Sequence, residues 1–137
     1  AAKRASIQEQ ATKVTHRPAL LNQLSRINKA RARHGLRPVR LNRCLTNRVA
    51  QPYSKSMAVS GNFAHQQMST PTSTCPRFGW AGENIAYGYP TAKSVMQAWM
   101  NSEGHRANLL KSEYTHVGLG LAKSADGRRY WVQDFGG

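Results

Sequence analysis

The first apolar pattern along the chain has helical spacing. Three apolar residues recur at intervals of three or four positions: Leu20, Leu24 and Ile27. This spacing predicts a helix over residues 18–34, because positions three and four apart share one face of an α-helix. Pro18 suits the first turn of this helix, and Gly35 suits its C-terminal stop.

Two more helical segments are predicted further along. In the first of them, four large side chains fall at successive intervals of four: Leu45, Val49, Tyr53 and Met57. They predict a helix over residues 43–60, and Pro52 inside it predicts a kink or a break, since proline has no backbone N–H to donate. The next helix is predicted to begin after Pro90, with Thr91 as its N-cap.

The C-terminal stretch changes to the alternation that is typical of strands. Apolar residues alternate over 117–122 and over 130–134, and the turn residues at 124–127 between them predict a β-hairpin. Residues 60–90 contain four Gly and three Pro, which is typical of a long, turn-rich segment. Helices first and strands at the end predict an α+β domain, with helices packed on an antiparallel sheet.

Length and charge narrow the function classes. The chain has 137 residues, the length of one domain, and no stretch is apolar enough for a transmembrane helix. Of the net charge of +14, most lies in residues 1–48, which carry 12 Lys and Arg and one acid, Glu9. This indicates either a basic face for nucleic acid, anionic lipid or an acidic envelope polymer, or simply a solvated helix face. Nucleic acid is not favoured, because no aromatic residue is interleaved with the bases before Tyr53.

Two features bear on where the protein works. Residues 1–16 are predicted to form a polar N-terminal arm. The chain begins Ala1-Ala2 without an apolar signal segment, so we expect an exported protein whose signal peptide has been removed. Cys44 and Cys75 lie 31 positions apart and match no zinc-binding spacing. Export favours a disulfide between them, and two free thiols are the alternative.

Glutamate and histidine are scarce in the middle of the chain, so their placement is informative. Glu103 and His105 flank Gly104, and in an extended or turn segment such residues project to the same side. Together with His65 and Glu83 they offer two imidazoles and two carboxylates, which can bind a divalent metal such as Zn²⁺ and leave a position for water. Without metal, a Glu–His pair can act as general acid and base. A hydrogen-bonded network that anchors loops is the structural alternative.

Several ordered motifs in this region resemble one protein family. The segments GENIAYG, AWMNSEGHRANLL, THVGLGLA and YWVQDFG are similar to the CAP superfamily, and most of all to its short bacterial SCP-like extracellular members. The resemblance implies an α-β-α sandwich, an exported protein and a single CAP domain over residues 17–137. It also implies a central cleft that binds Zn²⁺ or another divalent ion in some relatives. Its residues would be His65, Glu83, Glu103 and His105.

Three functions are compatible with these observations. Asn84 and Ser102 are expected to line the same cavity, with Asn84 ordering its loop through backbone hydrogen bonds. The leading hypothesis is a secreted monomer that is non-enzymatic or weakly enzymatic, with a metal in the cleft and a surface that binds lipid, envelope polymer or a protein partner. The second is a metal-assisted hydrolase that uses the same four residues, with Glu83 or Glu103 as the base. The third is a cationic effector that acts on anionic membranes or nucleic acid through residues 1–48.

Overall fold

The computed structural model describes the backbone from Ala2 and the side chains from Arg17 to Gly137. The predicted N-terminal arm covers residues 1–16, whose side chains lie outside the described part of the structure, so it stays a prediction. In chain order the helices are α1 (Ala2–Arg33), a π-helix (Leu45–Ala50), α2 (Gln51–Ser60), α3 (Ser69–Thr74), α4 (Ala92–Met100) and α5 (Glu103–Leu109). The strands are β1 (Arg40–Leu41), β2 (Ala81–Tyr87), β3 (His116–Lys123) and β4 (Arg129–Gly136). No helix in the described part of the chain is both long and apolar enough to span a membrane.

The four strands form one sheet in the order β1-β3-β4-β2, which makes β2 an edge strand. The hairpin of β3 and β4 is confirmed, and β2 also runs antiparallel to β4, whereas the short β1 runs parallel to β3. Helices α1, α4 and α5 pack on the sheet face that carries Leu119 and Trp131. Helix α2 packs on the face that carries Ile85 and Val132. The predicted α-β-α sandwich is therefore confirmed.

The predicted first helix is present. Its C-terminal end was predicted correctly, but its start was not. At the C-terminal end, Gly35 has φ +70° and its N–H donates to Ala32, while the N–H of Leu36 donates to Arg31. This is the Schellman arrangement that a terminal glycine permits. At the other end the prediction is wrong, because α1 begins at Ala2 and Pro18 lies inside it. A proline suits both a first turn and a tolerated interior site, so its presence alone did not fix the start.

The helix does not break at Pro52, because Ala50 and Gln51 both keep helical backbone angles and only the helix type changes there. Residues 45–50 form a π-helix, and the regular α-helix α2 begins at Gln51, one residue before the proline. Because proline cannot donate a backbone hydrogen bond, a change of hydrogen-bonding pattern at this point leaves no donor missing. Helix α2 then ends at Gly61, which has φ +73° and donates its N–H to Met57.

The turn-rich interpretation of residues 60–90 is only partly right, because this segment also contains α3 and strand β2. Strand β2 was missed because Glu83 and Asn84 interrupt its apolar pattern, although both residues are buried. A polar residue in a buried strand is stable only when another group satisfies its hydrogen bonds. The sequence alone does not reveal those partners.

The two cysteines form a disulfide, as export favoured. Cys44 at the start of the π-helix is bonded to Cys75 at the end of α3, and their Cα atoms are 6.0 Å apart. The bond thus closes the part of the chain that contains the π-helix, α2 and the irregular segment after α2.

Glycine lets the π-helix lie directly against the sheet. A Cβ atom on Gly118 would come within 2.2 Å of the backbone carbon of Leu45, and one on Gly120 within 2.3 Å of the carbonyl oxygen of Ala50. Both glycines lie on β3, two positions apart, so they present the same face of the strand. The backbone of the π-helix can therefore contact strand β3 closely only because Gly118 and Gly120 have no side chains.

We expect Gly118→Ala to destabilise the domain by about 1–3 kcal/mol, because the added methyl group meets backbone atoms that cannot rotate away. Gly104→Ala is the matched control, since a Cβ there has no neighbour within 4 Å and alanine favours the helix by about 1 kcal/mol. Urea denaturation of both variants measures the difference. Equal stability of the two variants would contradict the close approach.

Candidate functional site

A buried pair of carboxyl groups lies between the edge strand and its neighbour. Glu83 on β2 faces Asp134 on β4 in the strand register, and both residues are buried. The side-chain nitrogen of Gln66 donates to Glu83 Oε2 at 2.5 Å and to Asp134 Oδ2 at 3.1 Å. One amide thus bridges both acids.

These two carboxyl groups cannot both be ionised at low cost. Burial, followed by the hydrogen bond and the negative charge of Glu83, raises the pKa of Asp134 well above its usual range. Asp134 is therefore the acid of the pair whose protonated form is favoured. The two buried carboxyl groups lie beneath the residues that follow α2.

His65 lies against the carboxyl group of Glu83. Its Nδ1 is 3.0 Å from Glu83 Oε1, and 54% of its side chain is exposed. Since a carboxylate can only accept, Nδ1–H is the donor, and Nε2 lies outside this hydrogen bond. Tyr53 steadies the same segment by donating its hydroxyl hydrogen bond to the carbonyl of Ala64. Burial and the charges of Glu83 and Asp134 raise the pKa of Tyr53.

His105 lies on α5 at the other side of the edge strand. Its Nδ1 is 2.7 Å from the hydroxyl oxygen of Ser102, and its carbonyl accepts a hydrogen bond from the buried side chain of Asn84 at 3.1 Å. Burial and then the charge of His65 lower the pKa of His105. His65 is therefore close enough to affect the protonation of His105. We call His65, Glu83, Ser102 and His105 the histidine site.

Asn84 holds α5 against the sheet. Besides the carbonyl of His105, it donates to Gln133 at 3.1 Å and accepts from Asn108 at 3.0 Å. Asn108 also donates to the carbonyl of Glu83 at 3.1 Å. Asn84 is fully buried, so it fixes the backbone of the site from beneath and does not line an open cavity. The expected role in backbone ordering is observed, although Asn84 lies on a strand and not in a loop.

Glu103 is the predicted site residue that the structure does not join to the others. The expectation that Glu103 and His105 share one side of an extended segment is wrong, because α5 begins at Glu103. Residues two apart on an α-helix point about 200° apart. Glu103 is exposed and makes no hydrogen bond or ion pair with another described side chain.

Two residues of this region were not singled out from the sequence. Gln66 directly follows His65, but nothing in its neighbourhood predicts that its amide bridges two acids. Asp134 offered a signal, because it is an acid within a strand that is otherwise buried. That signal points to a buried, partnered carboxyl group, but its partner is far away along the chain.

A metal ion has to be tested against these residues. Among the described residues, no three His, Cys, Asp or Glu side chains are placed to hold one ion together. The remaining possibility is a site with two imidazole ligands. Each ring has its Nδ1 in a hydrogen bond to an oxygen, and neither Nε2 is bonded to another described residue. An oxygen partner on the far nitrogen is the usual arrangement around a metal-binding histidine.

Comparison with known proteins decides the family. The model of the CAP family, described as the cysteine-rich secretory protein family, matches residues 24–135. The chain belongs to the CAP family. This CAP domain is 38% identical over 114 residues to the uncharacterized protein YkwD of Bacillus subtilis (strain 168), an alignment that covers 79% of this chain and 43% of that protein.

Solved structures agree with this assignment. An extracellular protein containing a SCP domain from Bacillus anthracis str. Ames matches with a TM-score of 0.71 and 31% identity, over 85% of this chain and 39% of that chain. An outer surface protein from Borrelia burgdorferi shares the fold with a TM-score of 0.78 and 22% identity, over 88% of this chain and 93% of that chain. The CAP domain thus spans less than half the length of both Bacillus relatives.

The raised pKa of Asp134 predicts how the stability of the domain depends on pH. An acid whose folded-state pKa is raised stays protonated in the folded domain while the unfolded chain ionises, so stability falls as the pH rises above about 4. Asp134→Asn removes this titration. We expect the stability of this variant, relative to the parent, to increase between pH 4 and pH 7 by up to about 1.4 kcal/mol per pH unit.

Urea denaturation over this pH range measures the effect. Asp126→Asn is the control, because hydrogen bonds from Ser124 and then from the backbone of Arg128 lower the pKa of this exposed acid. Asp126 is thus ionised in both the folded and the unfolded chain over most of this range, and the effect of its loss on stability should change little with pH. A difference between Asp134→Asn and the parent that does not change with pH would show that Asp134 is ionised in the folded domain.

Proposed function

We propose that this CAP domain is a binding module whose histidine site holds a divalent metal through Nε2 of His65 and Nε2 of His105. The observation that carries the proposal is the pair of hydrogen bonds at Nδ1, to Glu83 on one ring and to Ser102 on the other. Such partners fix the orientation of an imidazole and raise its basicity toward a metal. Zn²⁺ accepts imidazole ligands and completes its shell with water.

The charges around the two rings suit a bound cation. Glu83 supplies a carboxylate directly behind His65, where it offsets the positive charge of a metal. The lowered pKa of His105 keeps that ring neutral, which is the form that binds. A metal at this position would act as a fixed positive charge and as a Lewis acid toward a ligand oxygen.

Binding is favoured over hydrolysis by the state of Glu83. The hydrolase hypothesis needs Glu83 or Glu103 as a base. Only 1% of the Glu83 side chain is exposed, and its oxygens already accept hydrogen bonds from His65 and Gln66. Glu103 lies outside the hydrogen-bonded cluster. Neither carboxylate is arranged to take a proton from water, so the domain is proposed to bind its ligand without turning it over.

We place this activity outside the cytoplasm. The disulfide between Cys44 and Cys75 is of the kind that persists in oxidising surroundings. The Bacillus anthracis relative is described as extracellular and the Borrelia protein as an outer surface protein. Burial also makes the exterior more basic, because Glu83 and Asp134, two of the six acids of the chain, lie inside. We propose that this basic exterior binds anionic polymer of the cell envelope.

The metal proposal is tested by titrating the domain with Zn²⁺ in a calorimeter after treatment with chelator. We expect His65→Gln and His105→Gln each to weaken binding by about tenfold or more, and Ser102→Ala, which removes a supporting hydrogen bond, by about tenfold. Affinity should fall as the pH drops below about 6, because protonated imidazole does not bind metal.

His34→Gln is the matched control, because His34 is exposed and contacts only the carbonyl of Ala30. Equal weakening by this variant would mean nonspecific binding to histidine and would overturn the site. Absence of Zn²⁺ binding by the parent domain would overturn it as well. Turnover of an ester or peptide that Glu83→Gln abolishes, with metal binding retained, would favour the hydrolase.

A further inference from the structure

A cavity lies between α1 and α4, in the helical layer on the opposite side of the sheet from Glu83 and Asp134. Its volume is about 320 Å³. Its apolar floor consists of Ala30, Met96 and Met100. We call this cavity, with its walls, the α1/α4 groove.

Cations form one wall of the groove. Arg26, Lys29 and Arg33 follow one another at intervals of three and four along α1, so they share one helix face. From the first to the last of them the helix rises by about 10 Å. The wall therefore presents a row of positive charges and not a single binding point.

The opposite wall combines a further cation with two amides. Lys93, Gln97 and Asn101 follow one another at intervals of four along and just beyond α4. Their side chains can donate hydrogen bonds, and Lys93 adds a fourth positive charge. No acidic residue lines the groove, and within the described part of the chain none of the four cations forms an ion pair.

Four positive charges around one groove repel one another, and a ligand with several negative charges would relieve that repulsion. Guanidinium groups bind phosphate oxygens in pairs, and amide N–H groups donate to the same oxygens. A row about 10 Å long suits two or more successive anionic groups better than one isolated anion. Length, charge and donor type together indicate a chain of phosphate groups.

We propose that the α1/α4 groove binds a linear polymer of phosphate groups, of which inorganic polyphosphate is the simplest. This names the chemistry of the partner proposed above for the basic exterior, on which it rests, and is independent of metal at the histidine site. The groove gives the diffuse positive charge of the domain one specific location.

Binding of fluorescently labelled inorganic polyphosphate, measured by anisotropy at about 0.15 M salt, tests the proposal. We expect the double variant Lys29→Glu and Lys93→Glu to lose about tenfold or more in affinity. The control is the double variant Lys55→Glu and Lys123→Glu, which changes the net charge equally at exposed positions on α2 and β3. It should lose about twofold at most. The milder Arg33→Gln should lie between the two.

Each other outcome has a definite meaning. Equal losses in the two double variants would overturn the groove and leave general attraction by the basic exterior. Absence of polyphosphate binding by the parent would overturn the polymer class, and binding only to phosphatidylglycerol vesicles would assign the groove to lipid headgroups. Zn²⁺ titration of the groove variant should match the parent, so that failure of either proposal is seen separately.

Discussion

Two adjacent pairs of buried polar residues determine how the rest of the domain is arranged. Glu83 faces Asp134 and Asn84 faces Gln133 in the register of β2 and β4. Because successive strand residues point to opposite faces, each helical layer receives one of these pairs. Both faces are covered, so neither pair is satisfied by water, and the helical layers must supply partners. One edge strand thereby positions the chain that carries His65 and the helix that carries His105.

This arrangement separates the charges of the molecule. The carboxyl groups of Glu83 and Asp134 lie inside the sandwich, where they accept hydrogen bonds from Gln66 and, at Glu83, contact His65. Among the arginines and lysines whose side chains the structure describes, only Arg31 is buried, and its guanidinium donates to four backbone carbonyls. A domain with a net charge of +14 in this way keeps two of its six acids beneath its histidine site.

Local patterns predicted the elements that local sequence determines. Apolar spacing predicted α1 and the hairpin, and Thr91 predicted the start of α4. Pro52 predicted a kink or a break, whereas the structure has a change of helix type there. The features that were missed depend on contacts between distant parts of the chain. Strand β2 is stable because β4, α5 and the segment after α2 satisfy its polar residues. The pKa of Asp134 is raised by its burial and then by Glu83 opposite it. The residues around Glu103 show no apolar period that would predict a helix, so an extended or turn segment was expected there. That error placed Glu103 on the same side as His105 in the predicted tetrad.

The disulfide has a consequence for the histidine site. His65 and Gln66 lie in the irregular stretch after α2, and the bond between Cys44 and Cys75 encloses that stretch within a loop of 31 positions. Breaking the disulfide would give the unfolded chain more conformational freedom, which lowers the free energy of unfolding by about 3–4 kcal/mol in the chain-entropy model. Cytoplasmic thiols would thus loosen the segment that presents one of the two imidazoles. The proposed histidine site is therefore best ordered in oxidising surroundings, where the disulfide persists.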